Sequence, residues 1–399
     1  MAILIRIDEP RRPPGVLRPS WRAFLSMAFR PFYLLAAIQA VLFIGAWAFG
    51  IGGTQALPGF LWHGHEMIWG YAGAIIVGFL LTAVATWTGR PPVRGAVLGG
   101  LAALWLGARI VLLAVPSSNL WGGALSVLFF VAAAVLLAIP VVRTRNVRNY
   151  IVPPILLAFA AADLTFHLAV AGQLALDPRH MLHVGLLIVA TVIFFMGLRV
   201  IAFFTSRALQ IPQVTNGRVV TQVSVIAPLT MAFLVAIDGP GALIALLGVS
   251  AGLINLIQLV RWWHPQVATR PLLWVLFAGY ACTALGVAMY GLAHAWWPQL
   301  TSAALHGVAV GGVGLLTIGM MTRTALGHTG RALEVPSPLG LAFWLVLAAT
   351  VLRIVAAFPS ALAEAALIAS GLAFAAGFAL FAYRFGPWLI RPRADGQPG

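Results

Sequence analysis

The chain carries very little charge for its length. Only 8% of its 399 residues are charged, nine residues are acidic, and all 24 basic residues are arginine, so lysine is absent. Hydrophobic residues make up 61% of the chain, and the mean hydropathy is +0.98. This composition excludes a soluble globular protein and is typical of a membrane protein with several spans.

Several common functional motifs are also missing. The single cysteine, Cys282, lies within an apolar run, so an internal disulfide and a paired-cysteine motif are both excluded. The sequence has no phosphate-binding glycine loop and no nucleophile elbow. A net charge of +15 would favour nucleic acid in a soluble chain, but here the arginines lie in short loops between apolar runs. We therefore expect a lipid bilayer as the partner, and no nucleic acid.

A membrane span needs about 20 largely apolar residues, and the sequence contains twelve such runs. We predict an all-α bundle in which one membrane domain, 31–384, lies between an Arg/Pro-rich tail, 1–30, and a C-terminal tail, 385–399. The predicted spans are 31–50, 64–88, 95–115, 119–142, 150–172, 180–204, 219–237, 241–260, 271–293, 300–322, 338–357 and 361–383.

The arginines are distributed unevenly between the two sides of this bundle. Most lie in the two tails and in every second loop, whereas the opposite loops hold only Arg179. Because positively charged loops stay in the cytoplasm, this pattern predicts that both termini are cytoplasmic. Three arginines, Arg109, Arg199 and Arg353, fall within spans, where a charge is costly unless it is paired or faces a cavity.

A stretch of 26 residues occurs twice, at 65–90 and at 306–331. Each copy begins with a histidine and ends in Thr-Gly-Arg. This repetition favours three four-span pseudo-repeats, at about 24–145, 146–263 and 264–384, with His183 in the histidine position of the middle copy. The other matched pairs are Gly70/Gly311, Gly73/Gly314 and Gly78/Gly319.

Seven of the nine histidines fall in the outer half of the predicted bundle. Imidazole is a common ligand of iron and copper, and ionisable groups within spans are usually functional. We predict a metal site whose first candidates are His65, His183 and His306, one from each pseudo-repeat. For any single histidine, a hydrogen bond to a carbonyl or to water is the alternative. The remaining candidates are His63, His167, His180 and His294.

Other residues near the histidines fit a haem. Four glycines would leave room for a flat ring, and Arg109 and Arg353 are placed to pair with propionates near the outer surface. Close helix packing is the alternative for the glycines, and an ion pair with Glu66 or Asp163 is the alternative for the arginines. The two acidic residues would orient ligand histidines or move protons. The glycines are Gly70, Gly73, Gly311 and Gly314.

Five motifs resemble the NnrS family. They are Phe29-Arg30-Pro31-Phe32, Trp62-His63-Gly64-His65-Glu66-Met67, Gly78-Phe79-Leu80-Leu81-Thr82-Ala83, Trp87-Thr88-Gly89-Arg90 and Arg323-Thr324-Ala325-Leu326-Gly327-His328-Thr329-Gly330-Arg331. The resemblance implies a twelve-span protein of the bacterial inner membrane that contains haem b and copper. It also implies a role in tolerance of nitric oxide and a link to denitrification. Histidines on spans 2, 6 and 10 are similar to the haem–copper oxidase arrangement, but predicted span 7 has no histidine.

Three functions stay open on these grounds. The first is a haem- and copper-binding protein that binds or converts nitric oxide, with an electron donor that the sequence does not identify. The second is a transporter or channel for a small solute. The third is a structural or sensory protein whose histidines respond to pH. The sequence does not assign a catalytic residue.

Overall fold

A computed structural model describes residues 18–55, 57–115 and 119–397. Residues 1–17 of the predicted tail 1–30, and the last two residues of the predicted tail 385–399, lie outside this part of the chain. The described residues form an all-α bundle, as the composition predicts.

Twelve helices are long and apolar enough to cross a membrane, which confirms the predicted number of spans. Spans 2 and 10 each start five or fewer residues before their predicted beginning. In chain order, spans 1 to 12 are Phe29–Ala48, Gly59–Thr88, Gly95–Ala114, Asn119–Arg143, Val147–Val170, Pro178–Leu209, Arg218–Ala236, Gly241–Trp262, Pro271–Ala295, Pro298–His328, Ser337–Val355 and Ala363–Leu389.

Most consecutive spans pack against one another around the bundle, span 2 packs against span 4, and span 12 returns to contact span 1. Spans 2 and 6 are the most enclosed, with 78% and 72% of their apolar windows buried, whereas spans 3 and 11 are 33% buried. Spans 2 and 6 therefore lie inside the bundle, and span 10 is 61% buried, as span 9 is. The division into three pseudo-repeats stays a prediction.

In the described part of the chain, three spans contain a π-helical segment, in which the backbone hydrogen bonds join residues five positions apart and not four. These segments are Ala40–Ile44, Glu66–Ala72 and Gly307–Gly314. The second directly follows His65 and the third directly follows His306, at matching positions in the two copies of the repeat. π-Helical turns are rare and frequently occur at functional sites. Their equivalent positions after His65 and His306 therefore indicate that the histidine ends of spans 2 and 10 are functional.

Candidate metal centre and histidine cavity

A fully buried cluster of two imidazoles and one carboxylate joins spans 2 and 5. His65 lies at the end of the first helical turns of span 2, and Asp163 and His167 are one turn apart on span 5. The Nε2 atom of His65 is 3.1 Å from Oδ1 of Asp163 and 3.0 Å from Nε2 of His167. One ligand atom from each residue lies within 4.8 Å of the others, so the three can hold a metal ion.

The hydrogen bonds of His167 leave one of its nitrogens directed at His65. Asn119 at the start of span 4 donates its amide N–H to the carbonyl oxygen of His167 (2.8 Å), which fixes the amide orientation. The Oδ1 atom of Asn119 then accepts the Nδ1–H of His167 at 2.6 Å. With Nδ1 protonated, the neutral ring presents the lone pair of Nε2 to the cluster.

A second layer of polar side chains holds the cluster in place. Glu66 lies 2.9 Å from Nδ1 of His65, and its other carboxylate oxygen forms an ion pair with Nε of Arg109 at 2.9 Å. Gln39 donates to the same oxygen, also at 2.9 Å. Ser126 donates its hydroxyl to Oδ2 of Asp163 at 2.6 Å. Arg109 therefore forms an ion pair with Glu66, which was the predicted alternative to pairing with a haem propionate.

The charges of this cluster favour one additional cation. With both imidazoles neutral, Arg109 contributes one positive charge, and Glu66 and Asp163 contribute two negative charges. A buried net charge is costly, so the cluster is stabilised by a proton on an imidazole or by a metal ion. Two imidazole nitrogens and a carboxylate oxygen are donors for a first-row transition metal, and the outer hydrogen bonds orient them.

A separate cavity of about 310 Å³ lies between spans 2, 6 and 10. His63, His183 and His306 line it, one from each of these spans, and Arg353 of span 11 contributes a guanidinium. Most of the other lining residues are apolar. This cavity falls at the lower end of the 300–1,000 Å³ that small-molecule and cofactor pockets occupy.

Two of the cavity histidines are held by one hydrogen bond each. His306 donates Nδ1–H to the carbonyl oxygen of Ser302 at 2.8 Å, one turn earlier in span 10. The Nδ1 atom of His183 is 3.0 Å from the hydroxyl of Tyr290 on span 9. His63 stacks on Trp47, with ring centroids 4.7 Å apart and planes at 10°. Within the described part of the chain, Nε2 of His183 and of His306 has no hydrogen-bond partner, so both remain able to bind a ligand in the cavity.

The structure thus places two of the seven predicted ligands in the buried cluster, three at the cavity and two elsewhere. His65 and His167 belong to the buried cluster, and three others line the cavity, so His65 does not meet His183 and His306 at one centre. His180 pairs with Asp238 at 3.0 Å near the protein surface. The ring centroid of His294 lies 5.9 Å from that of Tyr290.

The four predicted glycines are packed against side chains and do not line the cavity. A Cβ atom on Gly70 would lie 2.3 Å from Nε2 of Gln39, and one on Gly73 would lie 2.5 Å from Phe130. Cβ atoms on Gly311 and Gly314 would lie 2.8 Å from Cys282 and Phe374, respectively. All four glycines therefore permit close helix packing, and none of them leaves room for a flat ring.

Arg179 also lines the cavity, at the outer end of span 6. It forms an exposed ion pair with Asp177, with Nη2 and Oδ2 2.6 Å apart. Hydrogen bonds from the Arg179 side chain hold the pKa of Asp177 below its usual value. The cavity therefore has positively charged groups from two different spans.

Sequence reasoning did not identify several polar residues of the site. Asn119, Ser126, Gln39 and Tyr290 make the hydrogen bonds that hold the buried cluster and His183. The only available signal was their polarity within apolar spans. Such a polar group needs a partner inside the bundle, but the sequence does not say which one.

The fold and the buried cluster define a polytopic α-helical membrane protein with a candidate metal centre between its spans. Residues 23–393 match the family described as NnrS protein. Because that match covers nearly the whole chain, the protein belongs to the NnrS family. A comparison with curated protein sequences finds no match.

Proposed function

We propose that this protein binds nitric oxide at a metal centre within the membrane and thereby protects the cell against it. Family membership fits a nitric oxide response protein. The observation that carries the metal centre is the buried set of His65, Asp163 and His167, whose charges favour an additional cation. Nitric oxide is small and uncharged, so it can reach such a centre through an apolar bundle.

We assign copper to the buried cluster. Imidazole nitrogens suit copper, and His65 and His167 supply two of them, with Asp163 as a third donor. The carboxylate of Glu66 and the hydroxyl of Ser126 would not bind the metal. Through their hydrogen bonds they would orient these donors and set their basicity. The cluster is entirely enclosed, so its surroundings exclude bulk water.

We assign haem b to the cavity between spans 2, 6 and 10. The apolar walls would suit a flat ring, His183 and His306 would each offer Nε2 to the iron, and Arg353 would pair with a propionate. When bound, the haem supplies iron with a coordination position for nitric oxide. The protein's own residues bind and orient the group, and the apolar lining keeps water away from it.

We also propose that the protein lies in the bacterial inner membrane with both termini in the cytoplasm. The arginines of alternate loops support this orientation, and the histidine cavity then opens towards the periplasmic side. A fluorescent protein that matures only in the cytoplasm, fused to the C-terminus, should fluoresce. A dark fusion in which the reporter is nevertheless intact and full-length would reverse the orientation.

Metal content tests the two assignments. Protein purified from cells supplied with haem and copper should contain both, and its absorption spectrum should show a Soret band. His183→Gln and His306→Gln should weaken that band without removing copper, whereas His167→Gln should remove copper and keep the band. His264→Gln, in a loop on the arginine-rich side, serves as the control and should change neither. Loss of both metals in all three variants, with intact folding, would reject the two separate sites.

A further inference from the structure

A second, smaller cavity continues inward from the histidine cavity. It has a volume of about 100 Å³ and lies among the middle turns of spans 2, 6 and 10. Ala72, Val189 and Val313 line both cavities, one residue from each of the three spans. The two spaces are therefore neighbours that share one ring of small apolar side chains, and we call the inner space the apolar chamber.

The apolar chamber has almost no means of holding water or an ion. Among the described residues, no charged side chain lines it, and Tyr33 and Thr317 provide its only side-chain hydroxyl groups. The hydroxyl of Thr317 is already bonded to the hydroxyl of Tyr71 (2.6 Å) and to the carbonyl oxygen of Gly314 (3.1 Å). A buried water needs two to four polar partners, and the single hydroxyl of Tyr33 does not supply them. The chamber therefore offers too few polar partners to hold an ordered water molecule.

The size of the chamber limits what can enter it. Its volume is well below the range of about 300–1,000 Å³ that holds drug-sized ligands and cofactors. Dry apolar cavities of about 150 Å³ bind benzene or xenon. A space of 100 Å³ suits one or two molecules of an uncharged gas.

The chamber ends one helical turn before the arginine-rich side. Met320 lines it, and in the next turn of span 10 the guanidinium of Arg323 stacks 3.8 Å from the ring centre of Phe204 on span 6. This contact joins spans 6 and 10 beyond Met320, the last residue of span 10 that lines the chamber. The chamber therefore adjoins the histidine cavity on one side, and on the other side spans 6 and 10 are in direct contact.

We propose that the apolar chamber is a binding site for small uncharged gas molecules and supplies them to the histidine cavity past Ala72, Val189 and Val313. The identity of the gas as nitric oxide rests on the proposed function. The site itself rests only on the shape and chemistry of the chamber. Ions and polar solutes are excluded because nothing in the chamber replaces their hydration.

Xenon tests the chamber without any metal or nitric oxide. Crystals of the full chain pressurised with xenon should show a xenon atom between Ile76, Ile193 and Leu316. Ile193→Phe fills the chamber and should remove that atom. Ile226→Phe makes the same change on the exposed face of span 7 and should retain it. A chamber without xenon while other apolar sites in the crystal fill, or one occupied by a lipid or detergent chain, would overturn the proposal.

Gas delivery is tested separately on the haem-loaded protein. In Val313→Phe, rebinding of carbon monoxide after flash photolysis should slow at least severalfold, because the larger ring narrows the connection between the two spaces. Unchanged rebinding in Val313→Phe would overturn delivery. Protein that binds xenon but contains no haem would reject the proposed haem site and leave the chamber as a gas site, so the two failures are distinguishable.

Discussion

The Nε2 atoms of His65 and His167 lie 3.0 Å apart, on spans 2 and 5, in a part of the bundle closed to solvent. His167 uses Nδ1 for Asn119 and directs Nε2 at His65, while Asp163 approaches the same point. A proton or a metal ion at this point neutralises the carboxylate. We therefore regard this pair of nitrogens as the centre of the candidate copper site.

Asp163→Asn should lower the affinity for copper by more than about 100-fold, because it removes a donor and the negative charge. Ser126→Ala removes only the outer hydrogen bond to Asp163, so we expect a loss of about 10- to 100-fold. Copper titration with a competing chelator measures both values. Asp177→Asn, which changes a partly exposed carboxylate on the same side, is the control. Equal affinity in Asp163→Asn and Asp177→Asn would place copper elsewhere.

Arg109→Met should destabilise the bundle by about 3–5 kcal/mol, because it leaves the buried carboxylate of Glu66 without its ionic partner. The double variant Glu66→Gln/Arg109→Met should recover much of this loss. Reversible unfolding in mixed detergent measures the free energy of unfolding of each variant. Arg179→Met disrupts an exposed ion pair and should leave the free energy of unfolding almost unchanged. If the losses in free energy of unfolding from Glu66→Gln and Arg109→Met simply add in the double variant, the two side chains are not coupled.

Gly70→Ala should destabilise the protein by about 1–3 kcal/mol. The added methyl group would lie 2.3 Å from Nε2 of Gln39, so the amide must move away from Glu66. Gly100→Ala is the matched control, since nothing lies within 4 Å of the new Cβ on span 3. There the gain in helix propensity should stabilise the chain by up to about 1 kcal/mol. Thermal unfolding of the two variants should therefore shift in opposite directions, and shifts in the same direction would contradict the packing argument.

Arg353→Leu should weaken the binding of haem by about 10- to 100-fold, because a charge-assisted hydrogen bond contributes about 1.5–3 kcal/mol. Titration of haem into apoprotein, followed by the Soret band, measures the affinity. Arg94→Leu, at an exposed position before span 3, should leave it unchanged. An Arg353→Leu affinity equal to that of Arg94→Leu would show that no propionate pairs with Arg353.

The fold was predictable because membrane spans follow from length and apolarity alone. Spans 3 and 11, for example, are marked by runs such as Gly95–Ala114 and by flanking arginines and prolines, and backbone hydrogen bonding leaves a helix as the only available form. The π-helical segments after His65 and His306 were not predictable in this way. They depend on how spans 1, 2 and 10 pack, and residue types do not reveal this.

The site was predictable in its residue types but not in its grouping. The equivalent sequence positions of His65 and His306 suggest one shared centre, yet His65 faces span 5 and His306 faces the cavity. The direction in which a histidine side chain points depends on the rotation of its span about the helix axis. A π-helical turn changes that rotation. Asp163 and His167, one turn apart on span 5, did carry a sequence signal for a shared face, and Glu66 beside His65 marked the other half of the cluster.

The most direct test of the central claim is the optical spectrum of the purified protein before and after addition of nitric oxide, with metal analysis of the same sample. The account predicts a Soret band that shifts with nitric oxide in the wild type, and a much weaker band in His183→Gln or His306→Gln. A colourless, metal-free wild type, expressed with haem and copper available, would contradict it. A Soret band that nitric oxide does not change would contradict the nitric oxide site while leaving the haem assignment intact.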